Sequence, residues 1–180
     1  GHQGPVKRWR AEGRRIHADV MANGWSEAKQ SFVQSYGSET IDASALLLPF
    51  VGFLPAGDSR LRSTIKRIQA ELAQGPFVSR YLTDETDDGL EGGEGAFYML
   101  SFWLIGALLS IGETENARAK FDEILATANH VGLFAEMCDP VTREGLGNFP
   151  QAFSHIGFIH TARNLSEALR QAEFEPEMLG

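Results

Sequence analysis

The chain has 180 residues, of which 43% are hydrophobic and 22% charged, and its formal net charge is −8. This length and composition are typical of a single globular domain with a substantial core. The negative charge argues against a nucleic-acid partner, which needs a face rich in Lys and Arg. No apolar run reaches the roughly 20 residues that span a bilayer, so no membrane partner is expected.

The first two helical segments differ in how apolar they are. One runs from Pro5 to about Asn23, with Gly24 as its stop, and carries many Arg and Lys residues. The next, residues 42–54 (DASALLLPFVGFL), is apolar on nearly all sides, which predicts a buried helix. Pro49 in its middle should kink this helix or end its first half.

The third and fourth segments repeat this contrast. The third follows Asp58 or Ser59 as N-cap and ends before Gly75. Its apolar stripe consists of Leu61, Ile65, Ile68 and Leu72. The fourth, residues 94–111, is apolar almost all round, so a second buried helix is predicted.

Two amphipathic segments complete the chain. The fifth should bury Ala117, Phe121, Ile124, Leu125 and Ala128. The sixth opens at Pro150 and should bury Phe153, Ile156, Ile159, Ala162 and Leu169. QSFVQSY and PFVSRYL have strand-like composition but too few neighbours to build a sheet. The alternation of buried and amphipathic helices predicts an all-α fold of antiparallel hairpins in two layers, with residues 1–180 as one domain.

The acidic stretch of residues 80–97 (RYLTDETDDGLEGGEGAF) has three interpretations. Asp84, Thr86, Asp88 and Gly89 imitate a calcium-binding EF-hand loop, but Gly95 stands where that loop needs a glutamate. A solvated acidic loop is the simplest alternative. The third is a substrate-binding loop, in which glycines bring the backbone close to a polar ligand while Arg80 and Glu94 supply charged hydrogen bonds.

The histidines and the cysteine give little sign of chemistry. His155 and His160 are five residues apart, which is a poor spacing for a shared metal on a helix, so no metal or other cofactor is expected. Cys138, the one cysteine, is interpreted as a small buried thiol. It can form no internal disulfide, and the first residues lack a signal-peptide core, so a cytoplasmic location is expected.

Glu136 stands in the apolar stretch GLFAEMCDP, where desolvation would raise a carboxyl pKa and suit catalysis. From spacing alone, an exposed loop glutamate, or one paired with Arg143, is the favoured interpretation. The aromatic run around Tyr98 and Trp103 is mainly core by its pattern, with either residue available to face a sugar ring.

Several segments resemble the bacterial branch of glycoside hydrolase family 15, the glucoamylase and trehalase family. They are GLFAEMCDPVTREGLGNFPQAFSHIGFIHTA, GGEGAFYMLSFWLIGAL and, earlier, FVQSYGSETIDASALLLPFVGFLPAGDSRLRSTI. The resemblance implies the C-terminal part of an (α/α)6 toroid, with inner and outer helices. It also implies inverting hydrolysis of α-glucosidic bonds, with an α-glucoside or a trehalose-like sugar as substrate.

The same resemblance implies the roles of individual residues. Glu136 would be the general base that activates water, and Arg80 would hydrogen-bond sugar hydroxyls. Glu94 would line the same mouth, either contacting the substrate or holding the loop. Tyr98, from the aromatic run, is a further candidate for contact with the substrate. The segment from Asn148 to His155 would position the loop that carries the base, with Gly147 and Pro150 fixing its exit into the last inner helix. Met137 departs from the family pattern, in which a polar residue usually follows the base.

An inverting glycosidase also needs a general acid, roughly 6.5–9.5 Å from the base. In this family the acid belongs to an earlier Trp-Glu segment, and this sequence contains no Trp-Glu pair. The resemblance therefore implies a missing N-terminal half, or self-association, to complete the ring. The alternative hypothesis is a noncatalytic half-toroid that binds carbohydrate or a partner chain.

Overall fold

The computed structural model describes residues 4–82 and 95–174, and this part of the chain is mostly helical. The α-helices are α1 Val6–Asn23, α2 Ser59–Leu72, α3 Tyr98–Ser110, α4 Thr114–Leu125 and α5 Ala152–Phe174. A 3-10 helix covers Ala43–Leu47. The predicted all-α fold is confirmed, and no helix of the described part is long and apolar enough to cross a membrane.

The strands are only two residues long, and they connect the helices in small antiparallel sheets. They are β1 Trp25–Ser26, β2 Ser31–Phe32, β3 Ala73–Gln74, β4 Phe77–Val78, β5 Ala96–Phe97, β6 Met137–Cys138 and β7 Gly145–Leu146. The sheets are β1–β2, β3–β4 and β5–β6–β7. The segments QSFVQSY and PFVSRYL thus supply one short strand each, β2 and β4, and each strand pairs with one neighbour although no sheet was expected.

The centre of the core is α3, which contacts α2, α4, α5 and the 3-10 helix. Most of its residues are buried, because neighbours cover it on several sides. Gly106 allows a close approach here: a Cβ at this position would lie 2.7 Å from Cζ of Phe50. The prediction of a buried fourth segment is therefore confirmed, although its helix begins only at Tyr98.

The predictions for α2 and α4 are largely confirmed. In α2, Leu61, Ile65, Ile68 and Leu72 are all buried. Asp58 is its N-cap, with the side chain accepting a hydrogen bond from the Arg60 backbone N–H at 2.9 Å. In α4, Ala117, Phe121 and Ile124 are buried, whereas Leu125 is exposed.

The predicted buried helix over residues 42–54 is wrong in length and in burial. The chain forms a 3-10 turn over Ala43–Leu47, started by Asp42, whose side chain accepts from the Ser44 backbone N–H at 2.7 Å. Pro49 cannot donate a backbone hydrogen bond, and Gly52 then reverses the chain at a φ of 63°. Phe50 and Val51 are consequently exposed.

The predicted buried face of α5 is also wrong at three positions. Phe153, Ile156 and Ile159 are 62–64% exposed. The helix packs against α3 through the opposite face, where Ser154, Thr161 and Leu165 are buried. The apolar stripe of α5 predicted a covered face. Within this chain, however, α5 makes its contacts with α3 through its other residues.

Loss of the α2 cap should weaken the fold in a pH-dependent way. We expect Asp58→Ala to lower the free energy of unfolding by about 1 kcal/mol near neutral pH. The Arg60 side chain, and then its backbone N–H, lower the pKa of Asp58 to about 2. A carboxyl with a lowered pKa stabilises the fold above its unfolded value of about 4 and loses this effect as the pH falls through about 2.

The difference between wild type and Asp58→Ala should therefore shrink below about pH 4, as measured by urea unfolding at a series of pH values. Ser59→Ala is the matched control, since Ser59 is the exposed neighbour that the sequence offered as an alternative cap. An equal loss of stability in Ser59→Ala would contradict the role of Asp58 as the N-cap of α2. So would a difference between wild type and Asp58→Ala that does not change with pH.

Candidate functional site

The loop that leads to Glu136 leaves α4 through a turn closed by one side chain. The Asn129 Oδ1 accepts hydrogen bonds from the backbone N–H groups of Val131 at 3.1 Å and Leu133 at 2.8 Å. Gly132 lies within this turn at a φ of 79°. The direction in which the loop departs from α4 is therefore fixed locally, before any contact with the core.

Three hydrogen bonds then fasten the loop to the first turn of α5. The Phe134 backbone N–H donates to His155 Nε2 at 3.3 Å, and its carbonyl accepts from the Gln151 N–H at 3.1 Å. The Ser154 hydroxyl donates to the Ala135 carbonyl at 2.7 Å. His155 Nδ1 lies 2.7 Å from the Gln151 carbonyl, which can only accept, so Nδ1 carries the proton and Nε2 is free to accept. His155 is thus a structural residue of this loop.

The backbone of Glu136 continues this attachment on both sides. Its carbonyl accepts from the Tyr98 N–H at 3.2 Å, which is the first backbone donor of α3. Its N–H donates to the Asn148 carbonyl at 2.9 Å. Glu136 immediately precedes β6, the central strand of the β5–β6–β7 sheet. The residue is therefore held between the start of α3 and the chain that follows β7.

The Glu136 carboxylate is half-buried and bound at one oxygen. Its Oε2 accepts from the Asn148 backbone N–H at 3.1 Å and from the Asn148 side-chain amide at 2.8 Å. Among the described residues no cation pairs with it, and Arg143 instead lies over the Phe77 ring at 4.4 Å. The alternative in which Arg143 neutralises Glu136 is therefore not the arrangement of this fold.

Arg80 borders a cavity of about 270 Å³ at the same end of α3. Its side chain is 58% exposed, and its Nε lies 3.8 Å from an oxygen of Asp42, which is 8% exposed. The wall of this cavity is formed by Asp42, Ser44, Arg80, Phe97, Met99, Leu100 and Trp103. Such a mixture of aromatic surface and charged hydrogen-bonding groups suits a polar ligand with apolar faces, as a sugar has.

The small strands connect Arg80 to Glu136. Arg80 lies two residues beyond β4, and β4 contacts β5. β5 pairs in turn with β6, with Phe97 opposite Met137. Both groups therefore belong to the N-terminal end of α3, and Phe97 forms part of the cavity wall. Glu94, the third predicted member of the site, lies outside the described residues, as does the calcium-like sequence from Asp84 to Gly89.

Tyr98 belongs to the core in this structure. It is 2% exposed, and its hydroxyl is 2.8 Å from the Thr127 hydroxyl. Burial is the main reason why its pKa is raised above the ordinary tyrosine value. The phase of α3 instead turns Met99 and Trp103 toward the cavity. Of the two aromatic residues that the sequence offered for a sugar ring, the structure favours Trp103.

Cys138 and His160 add no chemistry to the site. Cys138 is fully buried, and this burial raises the pKa of its thiol, so it is a packing residue as predicted. His160 lies near Asn164 on the exposed side of α5. Within residues 4–82 and 95–174, no three His, Cys, Asp or Glu side chains come together as a metal site.

Three residues near the site were not recognised as such from the sequence. Asp42 looked like part of a buried helix, although the pattern Asp-x-Ser is a cap signal that could have marked the turn. Asn148 and Gly147 were expected only to shape the loop. Glycine followed by asparagine after a hairpin is too common a pattern to reveal that both residues contact a carboxylate eleven and twelve positions earlier.

The helical fold is that of glycosidases. A solved structure titled Glycosidase Wild Type superposes with a TM-score of 0.76, at 24% identity, over 91% of this chain and 46% of that one. A structure titled Glycosidase E335A in complex with glucose matches to the same extent, with the same TM-score and identity. At this level of identity the likeness establishes the fold.

The sequence then defines the family. The pattern of glycosyl hydrolases family 15 matches residues 1–163, and the chain belongs to this family. A trehalase of Thermoplasma acidophilum is 45% identical over 168 residues, which are 93% of this chain and 29% of that protein. A trehalase of Mycobacterium tuberculosis is 41% identical over 180 residues, covering 98% of this chain and 26% of that protein. The chain thus spans less than a third of these relatives.

The buried position of Tyr98 can be tested by its bond to Thr127. We expect Tyr98→Phe and Thr127→Val each to lower the free energy of unfolding by about 1 kcal/mol, since each removes a partner of one buried hydrogen bond. The double variant should lose clearly less than the sum of the two, as measured by urea unfolding of all four proteins. Strictly additive losses would show that the two hydroxyls do not interact.

Proposed function

We propose that this chain supplies the general base and part of the sugar pocket of an enzyme that hydrolyses α-glucosidic bonds with inversion. The observation that carries the proposal is the state of the Glu136 carboxylate. One oxygen is held by Asn148, while Oε1 takes no hydrogen bond from any described residue. A fixed carboxylate with one available oxygen is what a general base needs to take a proton from water.

The cavity beside Arg80 is the proposed binding site for the sugar. Arg80 offers several N–H donors for hydroxyl groups, and Asp42 is near enough to orient it. Trp103 and Phe97 supply aromatic faces. Glu94 is proposed to reach the same mouth, either contacting the sugar or holding its loop. Tyr98 would act from behind, because its N–H holds the Glu136 carbonyl.

The proposed substrate class is an α-glucoside or a trehalose-like sugar. It is supported by the relatives named trehalase and by the solved glycosidase in complex with glucose. The general acid is proposed to come from outside this chain, as the family resemblance implies. Glycoside cleavage would then follow when water adds to the anomeric carbon, Glu136 takes its proton, and the acid protonates the departing oxygen.

The exposed apolar face of α5 is proposed to be covered by the rest of the family domain. Phe153, Ile156 and Ile159 stand on one side of the helix, and Phe153 and Ile156 border a cavity of about 280 Å³ that also contacts Phe50 and Trp103. The solved glycosidase chains are about twice as long as the part that this chain matches. Their remaining length is of the right order to supply such a cover.

We also propose that residues 1–180 belong to one domain, since α3 contacts α2, α4 and α5 alike. A cytoplasmic location is proposed as well. Its support is the single cysteine, which is buried and unpaired. A reducing compartment suits such a chain.

The proposed base can be tested in a chimera that carries residues 4–174 in place of the matching segment of the Thermoplasma acidophilum trehalase. We expect this chimera to hydrolyse trehalose or maltose, and Glu136→Gln to lower kcat by about 10²–10⁴-fold. Glu144→Gln is the matched control, because Glu144 is an exposed glutamate on the β6–β7 turn. Full activity in Glu136→Gln would refute the base.

The chain by itself should release no glucose from trehalose or maltose, because the proposed acid is absent from it. Any turnover should be greater with glucosyl fluoride, whose leaving group needs little protonation. Hydrolysis of maltose by the chain at an ordinary enzymatic rate would show that it holds a complete site. Sugar binding by an inactive chimera with a native fold would instead favour the noncatalytic hypothesis.

The α5 face should make the isolated chain associate with itself or bind a hydrophobic dye. We expect Ile156→Glu to reduce both effects, measured by sedimentation and dye fluorescence, without unfolding the chain, since Ile156 is 62% exposed. In the chimera the same change should lower stability, because the face is then covered. Ser166→Glu, at an exposed polar position of α5, is the control. A monomeric wild-type chain that binds no dye would contradict the exposed face.

A further inference from the structure

We infer that Asn148 is a positioning residue that decides which oxygen of Glu136 accepts the proton of the attacking water. This inference rests on the proposed function, in which Glu136 is the base. Its subject is a closed set of three hydrogen bonds between the two residues, called here the Asn148 clamp. Two of these bonds end on the same carboxylate oxygen, and the third joins the backbones.

The clamp restrains both the backbone and the side chain of Glu136. The Glu136 N–H donates to the Asn148 carbonyl at 2.9 Å, which sets the two residues opposite each other. The Asn148 N–H and side-chain amide then donate to Glu136 Oε2 at 3.1 and 2.8 Å. Both donors come from one residue of one loop, so the carboxylate cannot rotate without breaking two bonds together.

Gly147 keeps the space that the clamp needs. A Cβ at position 147 would lie 2.9 Å from Glu136 Oε2 and 3.1 Å from the Met137 Cε. The backbone of Gly147 also has a φ of 74°, which residues with side chains rarely adopt. The carboxylate therefore packs directly against a glycine backbone, and any side chain there would push Oε2 away from its donors.

The chemical consequence is that the two carboxylate oxygens of Glu136 have different roles. Hydrogen bonds donated to Oε2 stabilise its negative charge and make it the poorer proton acceptor. Oε1 is left as the better one. When the water oxygen bonds to the anomeric carbon, its proton passes to Oε1, while the glycosidic bond breaks and the departing oxygen takes a proton from the general acid. Water is thereby directed to one side of Glu136.

Substitutions at Asn148 separate its hydrogen-bond donors from its bulk. Asn148→Ala removes one donor and keeps the backbone N–H. Asn148→Asp keeps the shape of the side chain but replaces its NH₂ group with a carboxylate oxygen near Oε2. Since two carboxylate oxygens repel each other, Asn148→Asp should displace the Glu136 carboxylate more than Asn148→Ala does. A residue with a merely steric role would give the opposite order.

The first test is an NMR spectrum, at one neutral pH, of the full 180-residue chain labelled at its glutamate carboxyl carbons, with Glu136 assigned through Glu136→Gln. We expect the Glu136 carboxyl resonance to move in Asn148→Ala, because one donor to Oε2 is lost, and to move further in Asn148→Asp. Asn129→Ala is the matched control: it removes an asparagine that shapes the same loop without touching Glu136. It should cost stability and leave the Glu136 resonance in place.

The second test is kinetic and uses the chimera. In Asn148→Ala we expect kcat to fall about 10–100-fold with KM little changed. Gly147→Ala should lower kcat at least as much. An unmoved Glu136 resonance or an unchanged kcat in both Asn148 variants would overturn the inference, even where Glu136→Gln abolishes activity. If Glu136→Gln is fully active, the base assignment itself fails.

Discussion

The packing of Phe134 against α3 and α5 is the contact on which the rest of the site depends. Its ring lies 5.1 Å from that of Tyr98, 5.7 Å from Phe102 and 5.5 Å from Phe158, and it is 1% exposed. Aromatic groups at such separations pack in tilted or edge-to-face arrangements that favour particular orientations. Because Glu136 is only two residues beyond Phe134, the packing of Phe134 in the core restrains the position of the Glu136 carboxylate.

This dependence explains why a loop can hold a reactive group in place. The backbone of Phe134 is bonded to Gln151 and His155, so the side chain and the main chain are anchored to different parts of α5. The short β5–β6–β7 sheet then carries the restraint to the far side of Glu136. A two-residue strand is too short to be stable by itself, and here it serves as a connection between helices.

Local signals predicted much of the fold, whereas tertiary contacts decided what they could not. The stripe and the cap of α2 follow from period and from Asp58, since both act within a few residues. The prediction of a helix over residues 42–54 was wrong because apolar composition does not distinguish a long helix from a short 3-10 helix that ends before Pro49. The predicted burial of Phe153 and Ile156 was wrong because an apolar pattern indicates that a helix face is packed against something. It does not show whether the packing partner belongs to this chain.

The site was predictable to a smaller extent. Glu136 could be singled out by its apolar neighbours, but those neighbours alone favoured an ordinary loop glutamate, and the family resemblance supplied the role. Its partner Asn148 belongs to a different loop, and only the pairing of β6 with β7 brings the two together. Tyr98 is buried while Met99 and Trp103 line the cavity, because one turn of helix carries residues that face the core and residues that face the cavity.

The burial of Cys138 makes its thiol a probe for opening of the β5–β6–β7 sheet. It is the one thiol of the sequence, it is fully buried, and it lies in β6 opposite Ala96 and Gly145. A thiol reagent can reach this sulfur only when the three short strands separate, so the speed of its reaction measures how often they do. Because Cys138 follows Glu136 by two residues, the same opening events also release the restraint on the Glu136 carboxylate.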